Sequence, residues 1–199
     1  MKLEGLKINF LGDSITEGAR VTNCAMNRYD NVLKRLCALD TARNYGISGT
    51  RLSRQLGKRP SCWDGKEFFT RAEIMDRDAD IVVVFGGTND YGHGDAPFGT
   101  SLDTEPTSFC GAVNHLMTML KRDFPHSEIV FMTPMRRLGD EEISPSRKED
   151  GNDARVLIEY VDYIIEAAKE RGIHALDLYR TLPINPNEKE ERDLYAPDG

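Results

Sequence analysis

Apolar runs alternate with amphipathic stretches along the chain. Leu6 to Leu11 is a short buried-strand candidate that stops at Gly12-Asp13. From Arg28 to Leu39, the residues Val32, Leu33, Leu36, Cys37 and Leu39 form a helical stripe. The polar, glycine-containing segment Asn44 to Thr50 follows, and Phe68 to Met75 reads as one short helix. Ile81 to Phe85 is a continuous β-branched and aromatic run closed by Gly86-Gly87, as in a central strand covered on both faces. Thr107 to Arg122 is helical again, with Val113, Leu116, Met117 and Leu120 on one face and Pro106 suited to the first turn. Glu128 to Met132 is the next strand, closed by Thr133-Pro134. Asp153 to Arg171 is expected to be the longest helix, with Gly172 as its cap, and Ile173 to Leu178 a last short strand.

This alternation predicts a three-layer α/β fold in which helices cover both faces of a parallel sheet of about five strands. Arg136 to Asn152 is polar and reads as a long loop at the C-terminal edge of that sheet. The stretch after Leu182, with Pro183, Pro186 and the charged run Glu188 to Arg192, has no core pattern and is expected to be an exposed loop. Ligands of such sheets bind outside the carboxyl ends of the strands. Three polar clusters fall there: Gly12-Asp13-Ser14, Gly46 to Thr50, and Gly86 to Asp90.

Composition narrows the function classes. The 199 residues suit one domain spanning 1–199. Lys and Arg number 26 against 33 Asp and Glu, a net charge of −7 that argues against nucleic acid or an anionic membrane as partner. The cysteines, Cys24, Cys37, Cys62 and Cys110, form no C-x-x-C pair and no zinc spacing with histidine, so they read as free thiols and no metal is expected. Residues 1–10 contain no long apolar stretch of the signal-peptide kind, and no run approaches membrane-spanning length. The expectation is a cytoplasmic protein, the alternative being a secreted parent whose signal peptide has been removed.

Each cluster has a bland explanation taken singly. Ser14 could merely cap a helix, Gly49 could be an ordinary turn glycine, and Asn89 could bond its own backbone in a turn. Together they fit acyl transfer, which needs a nucleophile and a group of donors at the developing oxyanion. Ser14 would supply the nucleophile. Its own N–H, the Gly49 N–H and the Asn89 amide would supply three donors from neighbouring strand ends.

The segment Phe10-Leu11-Gly12-Asp13-Ser14-Ile15-Thr16 resembles the first block of the SGNH (GDSL-like) hydrolases. Asn44-Tyr45-Gly46-Ile47-Ser48-Gly49 resembles their second block, and Gly86-Gly87-Thr88-Asn89-Asp90 their third. The blocks occur in family order, and the strand pattern agrees over nearly the whole chain. The resemblance implies a flavodoxin-like α/β/α sandwich that hydrolyses carboxylic esters without a cofactor. It makes Ser14 the nucleophile and places Ser14, Gly49 and Asn89 in the oxyanion hole. The family's fourth block is Asp-x-x-His. Here Tyr195-Ala196-Pro197-Asp198-Gly199 matches its start, with Asp198 as the orienting carboxylate, and the expected His would fall two positions after Gly199. The histidines present do not replace it. His93 follows the Asn89 turn and is expected to be a solvated loop residue or a substrate contact. His115 and His126 are expected to be structural or exposed, and His174 to pack on the last strand. The 199 residues by themselves are therefore expected to be nearly inactive, since loss of one triad member costs several orders of magnitude. Asp13 is expected to fix the loop around Ser14 through hydrogen bonds.

Two rivals share the fold. A non-catalytic carbohydrate- or ligand-binding module would explain the absent His but has no need of an oxyanion set. A flavodoxin-type nucleotide binder needs a phosphate cradle after the first strand, where Asp13 and Glu17 would repel phosphate and no G-x-G-x-x-G or P-loop pattern occurs. For the ester, the expectation is a short-chain or carbohydrate acetyl ester. Arg51, Tyr91 and His93 are candidate substrate contacts. Arg54, Arg136, Arg137 and a stacking role for Trp63 were further options, each equally readable as an exposed loop arginine or a core ring.

Overall fold

Five strands pair in one all-parallel sheet: β1 (Lys7–Gly12), β2 (Thr41–Gly46), β3 (Ile81–Phe85), β4 (Glu128–Met132) and β5 (His174–Leu176), in the order β2-β1-β3-β4-β5. The computed structural model describes residues 2–55, 57, 62, 64–148 and 153–195. The helices are α1 (Ser14–Glu17), α2 (Cys24–Asn27), α3 (Tyr29–Cys37), α4 (Phe68–Ala72), α5 (Thr88–Gly92), α6 (Phe109–Asp123), α7 (Pro145–Lys148), α8 (Leu157–Glu170), α9 (Leu178–Thr181) and α10 (Lys189–Tyr195). This is the three-layer α/β arrangement that the alternation predicts.

Strand alternation divides the core. Ile8 and Phe10 of β1 with Ile81 and Val83 of β3 face one layer, where Leu39 and the partly buried Tyr29 and Leu33 cover them. Leu11, Val82 and Val84 face the other, against Phe68 and Phe69 of α4, Val113, Leu116 and Met117 of α6, and Tyr160 and Ile164 of α8. Because β1 and β3 are covered on both faces, they read as continuous apolar runs. Strand β2 is an edge strand whose residues are all half-buried, which is why Asn44-Tyr45-Gly46 looked like a polar connection and is the end of a strand.

Caps explain the shifted helix boundaries. Ser108 Oγ accepts from Gly111 N at 3.1 Å, so α6 starts at Phe109 and Pro106 lies outside it. The Asp153 carbonyl is taken by Phe98 N at 2.9 Å in an extended segment, so α8 starts at Leu157 rather than Asp153, and α6 with 15 residues is longer than α8 with 14. At the other end, Ile173 N bonds Ala168 O and Gly172 N bonds Lys169 O, with Gly172 at φ +63°, a Schellman closure. Asp177 Oδ1 accepts from Arg180 N and opens α9, which limits β5 to three residues. His174 is exposed rather than packed, and His126 is exposed as well. His115 is half-buried, edge-on to Phe69. The stretch read as an exposed loop after Leu182 forms α10. All four cysteines are free thiols. No helix among the described residues is long and apolar enough to cross a membrane.

The site follows from the register. Gly12 lies opposite both Gly46 and Phe85, so β1, β2 and β3 end at one level. The connections leaving them carry Ser14, Gly49 and Asn89. The strand order reverses between β1 and β3, where doubly wound sheets bind ligands.

Candidate active site

Ser14 is the first residue of α1, but it does not cap it. The cap is Asp13, 2% exposed, whose Oδ1 accepts from Ile15 N at 3.0 Å. Asp13 thus does the loop-fixing expected of it. Ser14 is left half-buried, and its hydroxyl makes no hydrogen bond among the described residues. It lines a groove with Ile15, Ala19, Arg20 and Val21.

The first two connections are pressed together. Glu17 Oε2 accepts from Ser48 N at 2.8 Å and also from the Ser48 hydroxyl. Asn44 Nδ2 donates to Thr16 O at 2.6 Å, and Ile47 N donates to Gly12 O at 3.1 Å. A Cβ on Gly46 would stand 2.2 Å from Glu17 N, so only glycine permits this approach. Gly49 has φ +74°, a left-handed turn that suits glycine, and its N–H has no acceptor among the described residues. The Ser14 N–H is likewise without one.

The third connection is tied to the second. Asn89 Nδ2 donates to Thr50 O at 2.9 Å, one residue from Gly49. Next to it, Asp90 is fully buried and accepts from Leu52 N, Ser53 N and the Ser53 hydroxyl at 2.6–2.9 Å. Burial pushes its carboxyl above the usual range, although those three donors favour the charged form.

Arg71 joins all of this from below, and nothing in the Phe68–Ala72 pattern announced it. Its side chain is buried, with Nη1 donating to Gly12 O at 2.8 Å and to Tyr45 O, Nη2 to Thr50 Oγ1 at 2.9 Å and Nε to Lys66 O at 3.0 Å. Phe68 lies under the guanidinium, 4.7 Å from centroid to Cζ. Desolvation lowers its pKa to about 10, so it remains charged at neutral pH.

The candidate substrate contacts are all at least partly buried. Tyr91 is 3% exposed, edge-on to Tyr160, and its hydroxyl is 2.9 Å from the Gly139 and Glu142 carbonyls. It is a core ring with no face for a sugar. Arg51 is buried and 3.0 Å from His93 Nδ1 through Nη1. His93 is partly buried, with Nε2 3.1 Å from Asn89 Oδ1, and is therefore not a solvated loop residue. Arg54 covers the Phe69 ring, Arg136 pairs with Asp140 and Glu141, and Arg137 covers Tyr91. Asp198 and Trp63 lie outside the described residues.

Two groups give the fold opposing pH dependence. Burial raises Asp13 from 3.8 to about 6. The folded protein then binds a proton that the unfolded chain has lost, and stability falls as pH rises through that window. Burial, with the nearby charges of Arg51, Arg137 and Arg147, lowers His93 from 6.5 to about 4, so stability falls as pH drops through nearly the same range. The slopes offset each other. Asp13→Asn removes the first, and is expected to raise stability at neutral pH by up to about 3 kcal/mol and to leave a steeper loss on acidification. Urea midpoints at neutral and mildly acidic pH check this. An unchanged or lower midpoint at neutral pH would contradict the assignment.

The model of the GDSL-like Lipase/Acylhydrolase family matches residues 10–199. Among solved structures, a protein from Lactobacillus plantarum superposes with a TM-score of 0.79 at 26% identity, covering 96% of this chain and 86% of that one. A lipase/acylhydrolase from Enterococcus faecalis gives 0.57 at 20% identity, covering 87% and 76%. An acetyl-xylooligosaccharide esterase from Geobacillus stearmophilus gives 0.56 at 21% identity, covering 90% and 79%. The last two likenesses speak for the fold alone. No curated protein matches the chain.

Proposed function

The chain belongs to the GDSL-like lipase/acylhydrolase family, and from that premise we propose that it hydrolyses a carboxylic ester with Ser14 as nucleophile. Ser14 Oγ attacks the carbonyl carbon and gives its proton to a general base. The carbonyl oxygen becomes an oxyanion, which the Ser14 N–H, the Gly49 N–H and Asn89 Nδ2 stabilise. Collapse of the tetrahedral intermediate expels the alcohol with that proton, and water then releases the acid from the acyl-serine.

The observation that carries the reading is the division of labour at the start of α1. Asp13 takes the capping role, which leaves the Ser14 hydroxyl and N–H without partners among the described residues, and the Gly49 N–H on the adjoining connection is in the same condition. The resemblance puts Asp198 in the orienting role. Among the described residues His93 is not assigned as the base, because its Nε2 is engaged by Asn89. We favour a short-chain or carbohydrate acetyl ester as substrate. The groove beside Ser14 is lined by Ile15, Ala19, Arg20 and Val21, and the fold is shared with an acetyl-xylooligosaccharide esterase.

The test is covalent. A fluorophosphonate incubated with the full gene product is expected to label Ser14 alone, read by mass spectrometry of the Gly12–Arg20 region. Absence of labelling, or labelling of another serine, would remove the nucleophile and return the non-catalytic binding module.

A further inference from the structure

We propose that His93, held as its neutral Nε2–H tautomer by Arg51, is a positioning residue that fixes which way the Asn89 amide faces. The proposal rests on the reading of Asn89 as an oxyanion donor.

An asparagine amide has two faces of opposite chemistry, and a half-turn about its last bond exchanges them. Only one orientation offers an N–H to an oxyanion. Two neighbours of Asn89 make the choice. Thr50 O can only accept, and it lies 2.9 Å from Nδ2. On the other side, His93 Nε2 lies 3.1 Å from Oδ1. An imidazole nitrogen can donate or accept, so His93 selects an orientation only if its own proton is placed.

Arg51 places it. A guanidinium has five donors and no acceptor. Arg51 Nη1 is 3.0 Å from His93 Nδ1, so Nδ1 must accept and the ring proton must sit on Nε2. Nε2–H then donates to Oδ1. A flipped Asn89 would set an NH2 against Nε2–H and a carbonyl against Thr50 O, two repulsive contacts replacing two hydrogen bonds. In the favoured orientation Thr50 uses one Nδ2 hydrogen, and the other is available to the site.

The surroundings keep the ring neutral. Burial acts most strongly against a charge on His93, and the charges of Arg51, Arg137 and Arg147 add to it. Arg147 is itself fixed, donating to Gly94 O and Ala96 O at 2.5 Å each. Carboxylates hold Arg51 in its charged form. Asp64 is 3.6 Å from Arg51 Nη2, and Asp90, Asp95 and Glu67 favour its charge. An imidazolium would turn Nδ1 into a donor facing the Arg51 guanidinium and break the chain of bonds.

Nitrogen-15 NMR of the ring in the intact protein reads the tautomer directly. The expected spectrum has a pyridine-type Nδ1 and a pyrrole-type Nε2 at neutral pH, with protonation only at about pH 4. A protonated Nδ1 or an imidazolium at neutral pH overturns the proposal, and this readout needs neither a variant nor activity. Kinetics then test the consequence. His93→Phe, in the full gene product, is expected to lower kcat for an acetate ester roughly tenfold with KM kept. His93→Gln, which can donate to Oδ1 and accept from Arg51, is expected to recover most of that loss. An unchanged kcat in His93→Phe overturns the proposal. Ser14→Ala measured alongside separates the two failures: if it retains full activity, the esterase reading falls whatever His93 does.

Discussion

Ser14→Ala is expected to lower the rate of acetate ester hydrolysis by about 10⁴-fold or more while leaving the fold untouched. The rate loss follows from the chemistry, since no acyl-enzyme can form without the hydroxyl, and removal of a serine nucleophile costs this much in enzymes of similar logic. The structure adds the second half of the expectation. Asp13 is the helix cap, and the Ser14 hydroxyl bonds nothing among the described residues, so alanine removes no bond to any of them. Stability should therefore change by no more than about 0.5 kcal/mol. Ester turnover and thermal unfolding of the same preparation check both halves. A large drop in stability would return Ser14 to a structural role, and retained turnover would end the nucleophile assignment.

Asn89→Ala is expected to lower kcat by roughly 10²–10³-fold, with a much smaller change in KM. The donor it removes matters most once the carbonyl oxygen carries charge, so the loss belongs to the transition state rather than to binding. The plainer reading of Asn89, a turn residue bonded to its own backbone, is weakened by its actual partners. Nδ2 reaches Thr50 O on another connection, and Oδ1 reaches a side chain, His93. Steady-state kinetics of the variant decide the matter: an unchanged kcat would leave Asn89 as a tie between loops.

The positions of Ser14, Gly49 and Asn89 relative to the sheet were legible in the sequence because they follow from strand order and strand ends. A run such as Ile81 to Phe85 shows itself as a central strand, and a parallel sheet puts the residues after each strand at one edge. Strand β2 was harder to see, since an edge strand buries little and Thr41–Gly46 carries no apolar alternation. Helix boundaries moved wherever a cap outranked periodicity, as Ser108 does before α6. The supporting residues were the least legible. Arg71 sits in a short helix with no pattern of its own, yet it binds three segments of the site, and only folding brings it to Gly12 O across 59 residues of sequence. His93 looked like a loop residue because α5 is one short turn that periodicity does not reveal, so its i,i+4 relation to Asn89 was not visible, and Arg51 comes from a distant connection. Arg51 and Tyr91 were legible as sequence neighbours of Gly49 and Asn89 but not as buried side chains, because proximity in sequence does not say which side of the backbone a side chain takes.

The central place of β1 also bears on how the protein is made. Its two neighbours, β2 and β3, both follow it in the chain, and the Arg71 that secures its carboxyl end lies between them in sequence. During synthesis, Ser14 leaves the ribosome with neither flanking strand available, and the first strand has both edges open. Pairing with β2 closes one edge and leaves the apolar β1 with a vacant side until Ile81 to Phe85 emerge. The candidate site is thus assembled late, by long-range closure, at the stage when such a sheet folds slowly and is most exposed to aggregation.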